Sequence, residues 1–280
     1  MQDREGVAFL QWALPRLHRP WAGFRRVRKK LCHGVEARAR ALGLPDLAAY
    51  RAWLETHPEE WQRLDELCPV TISCFYRDPP TWAALTAEVL PELAERTRSR
   101  GAGVLRAASI GCASGEEPYT LSLAWQLEVG PRFPALRLAV TATDVDEVVL
   151  ERARAGRYEA GTVKLLPAAW REQGFEREGE LYRLRDRFRE GVTFLRQDLR
   201  AAFPEGPLAL IFCRNLAFTY FDAETQEVLL SRLLAHLEPG GALVIGKREQ
   251  LPRATAELTP WSSVARQTIF RHVPNGPSRG

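Results

Sequence analysis

This sequence of 280 residues lacks the segments that direct a chain into or across a membrane. No apolar stretch approaches the roughly 20 residues that a membrane-spanning helix needs. The first residues, Met-Gln-Asp-Arg-Glu, do not follow the basic-then-apolar pattern of a signal peptide. These absences predict a cytoplasmic protein without a membrane span.

Cysteine and histidine are few and scattered. The five cysteines are odd in number and include no Cys-x-x-Cys pair, and the five histidines show no metal-ligand spacing. We therefore expect reduced thiols, no bound metal ion and no Cys–His nucleophile.

The sequence also has little excess charge, because 39 Lys and Arg residues stand against 35 Asp and Glu residues. The excess is concentrated in one basic cluster, which consists of Arg25, Arg26, Arg28, Lys29 and Lys30. Aromatic residues are not interleaved with these cations, so nucleic-acid binding is not expected. A solvated helix face is the simplest interpretation of the cluster.

Two kinds of pattern divide the chain. Up to about residue 67, apolar residues recur at three- and four-residue spacings, which predicts several short helices. From Val104 onward, apolar strands alternate with helices, as in a mostly parallel sheet. We predict a helical domain with a linker over residues 1–80, a sheet domain over 81–273 and a disordered tail over 274–280.

Several elements of the sheet domain are predicted individually. Leu181 to Phe188 alternates apolar and charged residues, which is typical of an exposed hairpin arm. The other predictions are a strand at Leu136–Thr143, a helix at Glu147–Ala155, strands at Leu208–Cys213 and Ala242–Ile245, and an antiparallel edge strand at Gln267–His272.

The segment from Ser109 to Tyr119 is the most informative about function. The apolar strand Val104–Ile110 ends at Gly111, and a loop of small residues leads through Gly115 to a helix. A strand, a glycine-rich turn and a helix N-terminus together indicate a nucleotide-binding crossover. Glu116 follows Gly115, and a carboxylate there suits a cationic ligand better than a phosphate. S-adenosylmethionine carries an ammonium and a sulfonium and no phosphate, so a methyltransferase is favoured over a dehydrogenase.

Asp144 supports the same interpretation. It ends the second predicted strand, where an acidic residue in doubly wound folds accepts hydrogen bonds from ribose hydroxyls. Asp146 suits a helix N-cap better. Asp144 and Glu116 would also fit a nicotinamide enzyme. The Gly-x-x-x-Gly spacing and the lack of an obvious proton-relay histidine argue against that class.

The chain as a whole resembles the CheR-type chemoreceptor methyltransferases. The motifs that carry the resemblance occur in the family's order over nearly the whole chain: residues 71–78 (TISCFYRD), 111–119 (GCASGEEPY), 142–146 (ATDVD), 211–215 (IFCRN), 220–222 (YFD) and 237–241 (LEPGG). The resemblance implies a class I methyltransferase fold, Rossmann-like with a mostly parallel sheet, after an N-terminal helical domain. It also implies a small β-hairpin subdomain, which matches the predicted arm and which we assign to about 175–192.

The resemblance further implies a function and a set of site residues. Family members transfer a methyl group from S-adenosylmethionine to glutamate side chains of chemoreceptors. Arg77 and Tyr220 would stand beside the transferred methyl group. The residues that would bind the cofactor are Thr71, Ser73, Arg77, Gly111, Glu116, Asp144, Asp198, Leu199, Asn215 and Leu216. An acidic methylation region of a receptor would be contacted through Arg25, Arg26, Lys29 and Lys30.

The sequence departs from the family pattern in three places, which concern the acceptor side more than the cofactor side. Thr71 replaces an asparagine and Ser73 replaces a threonine, and one residue is inserted between Asn215 and Tyr220. The family's Gly-His-Ser-Glu is Gly-Lys-Arg-Glu at 246–249. The leading hypothesis is a glutamate O-methyltransferase of receptors. The alternatives are a CheR-like enzyme for another protein or small molecule and, more distantly, a nicotinamide oxidoreductase or a non-catalytic cofactor sensor.

Overall fold

The computed structural model describes residues 2–70, 73–252, 256–261 and 267–274. The chain forms two compact units. The helical unit comprises Met1–Val70 and Thr219–Gln226, and the sheet unit comprises Thr71–Phe218 and Glu227–Gly280.

The helical unit is built on amphipathic helices that enclose a separate apolar core, in which Leu10, Phe24, Val35 and Leu54 are fully buried. Asp46 begins α4 by accepting a hydrogen bond from the Ala49 amide at 2.8 Å. The helices are α1 (Gln2–Ala13), α2 (Trp21–Phe24), α3 (Arg28–Ala41), α4 (Leu47–Thr56) and α5 (Pro58–Glu66).

The sheet unit alternates strands with helices. The strands are β1 (Val104–Ile110), β2 (Arg137–Asp144), β3 (Arg157–Glu159), β4 (Phe175–Glu178), β5 (Leu181–Leu184), β6 (Val192–Arg196), β7 (Leu208–Cys213), β8 (Leu237–Ile245), β9 (Leu258–Pro260) and β10 (Ile269–His272). The remaining helices are α6 (Pro79–Ala84), α7 (Leu90–Ser99), α8 (Glu116–Ala124), α9 (Glu147–Ala155), α10 (Ala160–Val163), α11 (Ala168–Gly174), α12 (Ala217–Tyr220) and α13 (Ala223–His236). No helix within the described residues is long and apolar enough to span a membrane.

The main sheet has the strand order β6-β2-β1-β7-β8-β10-β9. The first five strands in this order are parallel, and β10 and β9 are antiparallel additions. The chain leaves β1 toward β2 on one side and later returns to β7 on the other side. Strand order therefore reverses beside β1, and ligands of such folds bind outside the carboxyl ends of the strands at that point.

Most of the individually predicted elements are confirmed within one or two residues, and α9 begins and ends where predicted. Three differ. The strand at β8 begins at Leu237 and not at Ala242, and β10 is covered by β9, so β9 forms the edge. The strand β6 was not predicted, because its one-sided burial leaves a weak apolar pattern.

The first segment of the helical unit ends at Val70, ten residues before the predicted domain boundary near residue 80. The segment that starts at Ser73 is tied to the sheet unit, because the Phe75 amide donates to the Thr162 carbonyl at 3.0 Å. A small antiparallel sheet of order β3-β5-β4 contains residues 181–184 of the predicted arm and adds β3, which precedes the predicted range. The end of the arm, Asp186–Phe188, is a 3-10 helical turn and not a strand. Of the tail predicted at 274–280, residues 275–280 lie outside the described part of the chain.

Candidate active site

The carboxyl ends of β1, β2 and β7 meet at one edge of the sheet. Ile110 is paired with Thr143 on one side and with Cys213 on the other, so the residues that follow all three strands emerge together. The Gly111 and Cys112 amides both donate to the Thr143 carbonyl, at 2.8 and 2.9 Å, and fix the loop after β1 beside the end of β2.

The glycines of this loop are required by its conformation. Gly111 has φ +73°, and a Cβ there would lie 2.8 Å from Cδ2 of Leu216. Gly115 has φ +87° and precedes α8, and a Cβ there would lie 3.0 Å from the Cβ of Ala153. The backbone therefore approaches its neighbours more closely than other residues allow, as the sequence predicts.

Asp144 is held at the end of β2 with its carboxylate against the glycine loop. Its Oδ2 accepts the Ala113 amide at 2.9 Å and its Oδ1 accepts the Asp146 amide at 3.1 Å. The residue is 9% exposed, and burial raises the pKa of its carboxyl group against these hydrogen bonds. Each carboxylate oxygen keeps a further lone pair for a ligand hydroxyl. Asp146 caps α9 through the Val148 amide, as expected.

Glu116 is the first residue of α8 and is only 6% exposed. Burial raises the pKa of its carboxyl group to about 7, although hydrogen bonds from Ser73 and from the backbone at Ser114 oppose this shift. Among the described residues, Oε2 of Glu116 is buried and has no hydrogen-bond partner. A buried carboxylate oxygen without a donor is costly unless a ligand supplies one.

The buried hydrogen-bond acceptors of the site fit S-adenosylmethionine. The side-chain oxygen of Gln197 is likewise buried without a partner in the described residues, and the Gln197 amide donates to the Asp144 carbonyl at 3.0 Å. Buried acceptors suit the cofactor's ammonium, hydroxyl and amine donors. The side chains of the described residues include no group of three or more His, Cys, Asp or Glu that could hold a metal ion.

Arg77 lies between two residues of left-handed backbone conformation, Tyr76 with φ +56° and Asp78 with φ +62°. The Tyr76 amide donates to Oγ1 of Thr120 in α8 at 3.1 Å. The Cys74 thiol, whose pKa is raised by burial, is within electrostatic range of both Arg77 and Glu116. This segment therefore lies beside the N-terminus of α8.

Asn215 and Leu216 follow β7 and are held by a carboxylate from the turn after β8. Oε2 of Glu249 accepts the Asn215 and Gly246 amides, both at 2.7 Å, and Oε1 accepts the Leu216 amide at 3.0 Å. Asn215 has φ +55°, a conformation that asparagine tolerates better than most residues. This clamp brings Leu216 against Gly111.

The remaining predicted cofactor residues are placed less uniformly. Asp198 follows Gln197, which is bonded to the end of β2, but its carboxylate pairs with Arg200 at 2.6 Å. Leu199 is buried. Ser73 contacts Glu116, whereas Thr71 lies outside the described residues.

Tyr220 belongs to the helical unit. Its ring packs against Phe24 with centroids 5.0 Å apart, and a Cβ on Gly23 would clash with the Thr219 carbonyl oxygen. The segment that contains the inserted residue forms the short helix α12.

Three residues that organise the site had no predicted role in it: Arg214, Glu117 and Glu249. Each is charged and buried or nearly so, and each is bonded to a residue of a predicted motif or to the segment that carries Arg77. Arg214 and Glu117 lie inside matched motifs, and that position was the available signal. Their partners could not be predicted, because Arg214 and Glu117 are 97 positions apart.

Known proteins show similarity over most of the chain. The family described as "CheR methyltransferase, SAM binding domain" matches residues 71–266. The chemotaxis protein methyltransferase of Listeria monocytogenes is 35% identical over 191 residues, covering 67% of this chain and 70% of the relative. The proteins of the same name from Salmonella typhimurium and Escherichia coli are 34% and 33% identical, covering 83% and 79% of this chain and 78% and 76% of the relatives.

Proposed function

This chain belongs to the CheR methyltransferase family, and from that premise we propose that it methylates the carboxylates of glutamate side chains in chemoreceptors. Membership confirms the expected family, the class I Rossmann-like methyltransferase fold, the methyltransferase activity and S-adenosylmethionine as cofactor. It leaves no place for the nicotinamide alternative. The identity of the acceptor is the proposal.

The chemistry asks little of the protein. When bound, S-adenosylmethionine supplies a methyl group on a sulfonium. A glutamate carboxylate has a reference pKa of about 4.3, so it is already ionised at pH 7 and needs no general base. The residues of this chain have to bind the cofactor and the acceptor, orient the carboxylate toward the methyl group and exclude water. We assign the cofactor's ammonium to Glu116 and its ribose hydroxyls to Asp144.

Arg77 carries the proposal for a carboxylate acceptor. A guanidinium binds a carboxylate with two parallel hydrogen bonds, which fixes the direction of its oxygens. Arg77 is half-buried and follows a left-handed residue. Its charge and that of Glu116 both act on the pKa of the Cys74 thiol. The assignment of Tyr220 to the same reaction rests on the family resemblance.

The chemistry of the product tests the acceptor. We would incubate the full chain with tritiated S-adenosylmethionine and a purified chemoreceptor cytoplasmic fragment from the same organism, with a fragment whose methylation-region glutamates are changed to alanine as the control. We expect incorporation into the first fragment alone and release of the label as methanol in mild base, because a glutamyl methyl ester is base-labile. Base-stable label, or equal labelling of the control, would refute the proposal.

The basic cluster is proposed to attract the acidic acceptor. Arg25, Arg26, Lys29 and Lys30 are exposed. Residues 28–30 lie in the first turn of α3, and that turn contains no acidic residue. Cations at a helix N-terminus are unfavourable by about 0.3–1 kcal/mol each. Together with Arg4 and Arg28, Arg25 lines a groove of about 450 Å³ in this unit. Because these cations lie where the helix dipole disfavours them, we favour a role in binding an acidic partner over a simple solvated face.

Charge reversal tests this surface. The variant Arg26→Glu/Lys29→Glu should slow methylation of the receptor fragment and flatten its dependence on salt, because electrostatic steering is screened by ions. The affinity for S-adenosylhomocysteine should not change. Arg40→Glu, at the other end of α3, is the matched control. If both variants affect the rate equally, the cluster is only a solvated face.

A second candidate function is methylation of a different carboxylate acceptor. Lys247 and Arg248 are exposed on the turn that Glu249 anchors, where the family has histidine and serine. These cations would suit an acceptor with an additional anionic group. This candidate is favoured if the receptor fragment stays unlabelled while another acidic protein gains base-labile label.

We also propose a cytoplasmic location. The sequence has five cysteines, an odd number without a Cys-x-x-Cys pair, which favours thiols in a reducing compartment. Fractionation of cells that produce the full chain with an epitope tag should recover it with cytoplasmic markers, and recovery with periplasmic markers would refute the proposal.

A further inference from the structure

Arg214 is an almost completely buried arginine next to the proposed site. It follows the last residue of β7, and its side chain is 3% exposed. Buried arginines are rare unless they are paired, because removing the charge from water is costly. Its partners therefore show which part of the structure the charge supports.

The guanidinium joins the end of β7 to two other segments. Nη1 donates to Oε2 of Glu117 in α8 at 3.1 Å. Nη2 donates to Oδ2 of Asp78 at 2.7 Å and to the carbonyl oxygen of Arg77 at 3.0 Å. Glu117 is itself fixed, because the Ser109 hydroxyl donates to its Oε1 at 2.8 Å.

The segment held by Arg214 has an unfavourable backbone. Tyr76 and Asp78, the residues on either side of Arg77, are both left-handed, and a bulky residue such as tyrosine seldom adopts this conformation. Such residues persist only where surrounding contacts determine them, and they are concentrated at functional sites. Without these contacts the segment would relax to other backbone angles, and the Arg77 side chain would change direction.

The other anchors of the segment precede Arg77. The Phe75 amide donates to the Thr162 carbonyl, and the Tyr76 amide donates to the Thr120 hydroxyl. Among the hydrogen bonds described above, those of Arg214 hold the carbonyl of Arg77 itself and the side chain of Asp78. The two sets of bonds fix the backbone on both sides of the Arg77 Cα.

We infer that Arg214 is a positioning residue for methyl transfer: its guanidinium holds the Arg77 backbone so that the Arg77 side chain is directed at the acceptor carboxylate. Arg214 does not touch the acceptor in this scheme. The inference rests on the proposed function, which assigns Arg77 to the acceptor.

A double-mutant cycle tests the inference. Arg214→Met keeps an unbranched, flexible side chain and removes the charge and the hydrogen-bond donors. We expect the single-turnover rate of methyl transfer to the receptor fragment to fall about 100-fold, since misplacement of a catalytic group by about 1 Å has an effect of this size. The Kd for S-adenosylhomocysteine, measured by calorimetry, should stay within about threefold, as expected for a misdirected Arg77 rather than a collapsed pocket.

The decisive comparison is made in an Arg77→Ala background. If Arg214 acts through Arg77, then Arg214→Met lowers the rate no further once Arg77 is absent. If the two losses multiply, or if Arg214→Met alone leaves the rate unchanged, the inference is overturned. Arg214→Lys, which keeps the charge without the planar fork, gives the same comparison if Arg214→Met does not fold.

A matched control separates positioning from stability. Arg271 forms a two-nitrogen ion pair with Glu92 in the sheet unit and bonds neither Arg77 nor Asp78. Arg271→Lys should lower the unfolding temperature and leave the rate within about threefold of the wild type, and an equal loss of rate in this variant would overturn the inference. If Arg77→Ala alone leaves the rate unchanged, the assignment of Arg77 fails and the inference with it. If Arg77→Ala is severe and Arg214 is not coupled to it, only the inference fails.

Discussion

Replacing Glu116 by glutamine should stabilise the cofactor-free protein and weaken cofactor binding. Burial raises the pKa of this carboxyl group from its ordinary value of 4.5 to about 7. At about 1.4 kcal/mol for each pKa unit, the ionised side chain lowers the free energy of unfolding by about 3 kcal/mol. Ser73 and nearby backbone groups already offset part of the cost of burial, and that offset is included in the raised pKa.

The sign of the pH dependence follows from the direction of the shift. Below pH 4.5 the carboxyl group is protonated in both states, and no penalty exists. Between pH 4.5 and about 7 the unfolded chain releases its proton while the folded chain keeps it, so this group makes stability fall as pH rises. Above pH 7 the full penalty applies. Glu116→Gln removes this dependence.

Urea unfolding at pH 5, 6, 7 and 8 measures the effect. The difference in unfolding free energy between Glu116→Gln and the wild type should grow in favour of the variant across this range, toward about 3 kcal/mol at pH 8. Glu172→Gln, at an exposed position of the sheet unit, should show no such trend. A difference for Glu116→Gln that stays constant with pH would show that the carboxyl group titrates normally and would refute the reasoning.

The same substitution should act oppositely on the ligand. The ammonium of S-adenosylhomocysteine pairs with the ionised carboxylate, so the wild-type Kd should rise as pH falls below about 7. At pH 8 the Kd of Glu116→Gln should be about 10–100-fold higher than that of the wild type, because a hydrogen bond to a charged group is lost. The Kd of this variant should not vary with pH. Equal Kd values for the two proteins at pH 8 would show that the ammonium binds elsewhere.

Other substitutions test the remaining assignments. Asp144→Ala should weaken S-adenosylhomocysteine binding by about 1–3 kcal/mol in calorimetry, and NADH should bind neither protein; an unchanged Kd would exclude a ribose contact. Because one residue is inserted after Asn215, the family's tyrosine position falls on Thr219 when counted from Asn215 and on Tyr220 when counted back from Phe221. Tyr220→Phe should lower the methyl-transfer rate and spare cofactor affinity, whereas a silent Tyr220→Phe with a damaging Thr219→Ala would show that Thr219 holds that position. Glu249→Gln should lower both the unfolding free energy and cofactor affinity, because three backbone amides lose a charged acceptor; retention of both would show that the clamp is dispensable.

The sequence carried strong information on the elements that face the cofactor. Apolar strands, the glycines of the β1 loop and the acid at the end of β2 are local signals, since each constraint acts within a few residues. The left-handed angles of Gly111 and Gly115 and the cap by Asp146 show that these local rules hold in the folded chain.

The supporting charges could not be predicted in the same way. Arg214 and Glu117 lie inside matched motifs, but nothing local in the sequence connects one with the other. Only the pairing of distant strand ends brings them together at the Arg77 segment. Glu249 reaches back 34 positions to the amide of Asn215. Such contacts depend on tertiary packing, which neither periodicity nor spacing records.

The unfavourable features of the sheet unit are concentrated around its proposed site. A buried carboxylate with a raised pKa, at Glu116, is hydrogen-bonded to Ser73, four residues before an arginine that is flanked by two left-handed residues and supported by Arg214. The ionised, buried carboxylate and the left-handed residues each lower the stability of the cofactor-free protein. Because a carboxylate acceptor requires no base, orientation is the contribution left for the protein to make, and orientation requires fixed charges. The costs therefore occur where a methyltransferase of carboxylates has to be rigid.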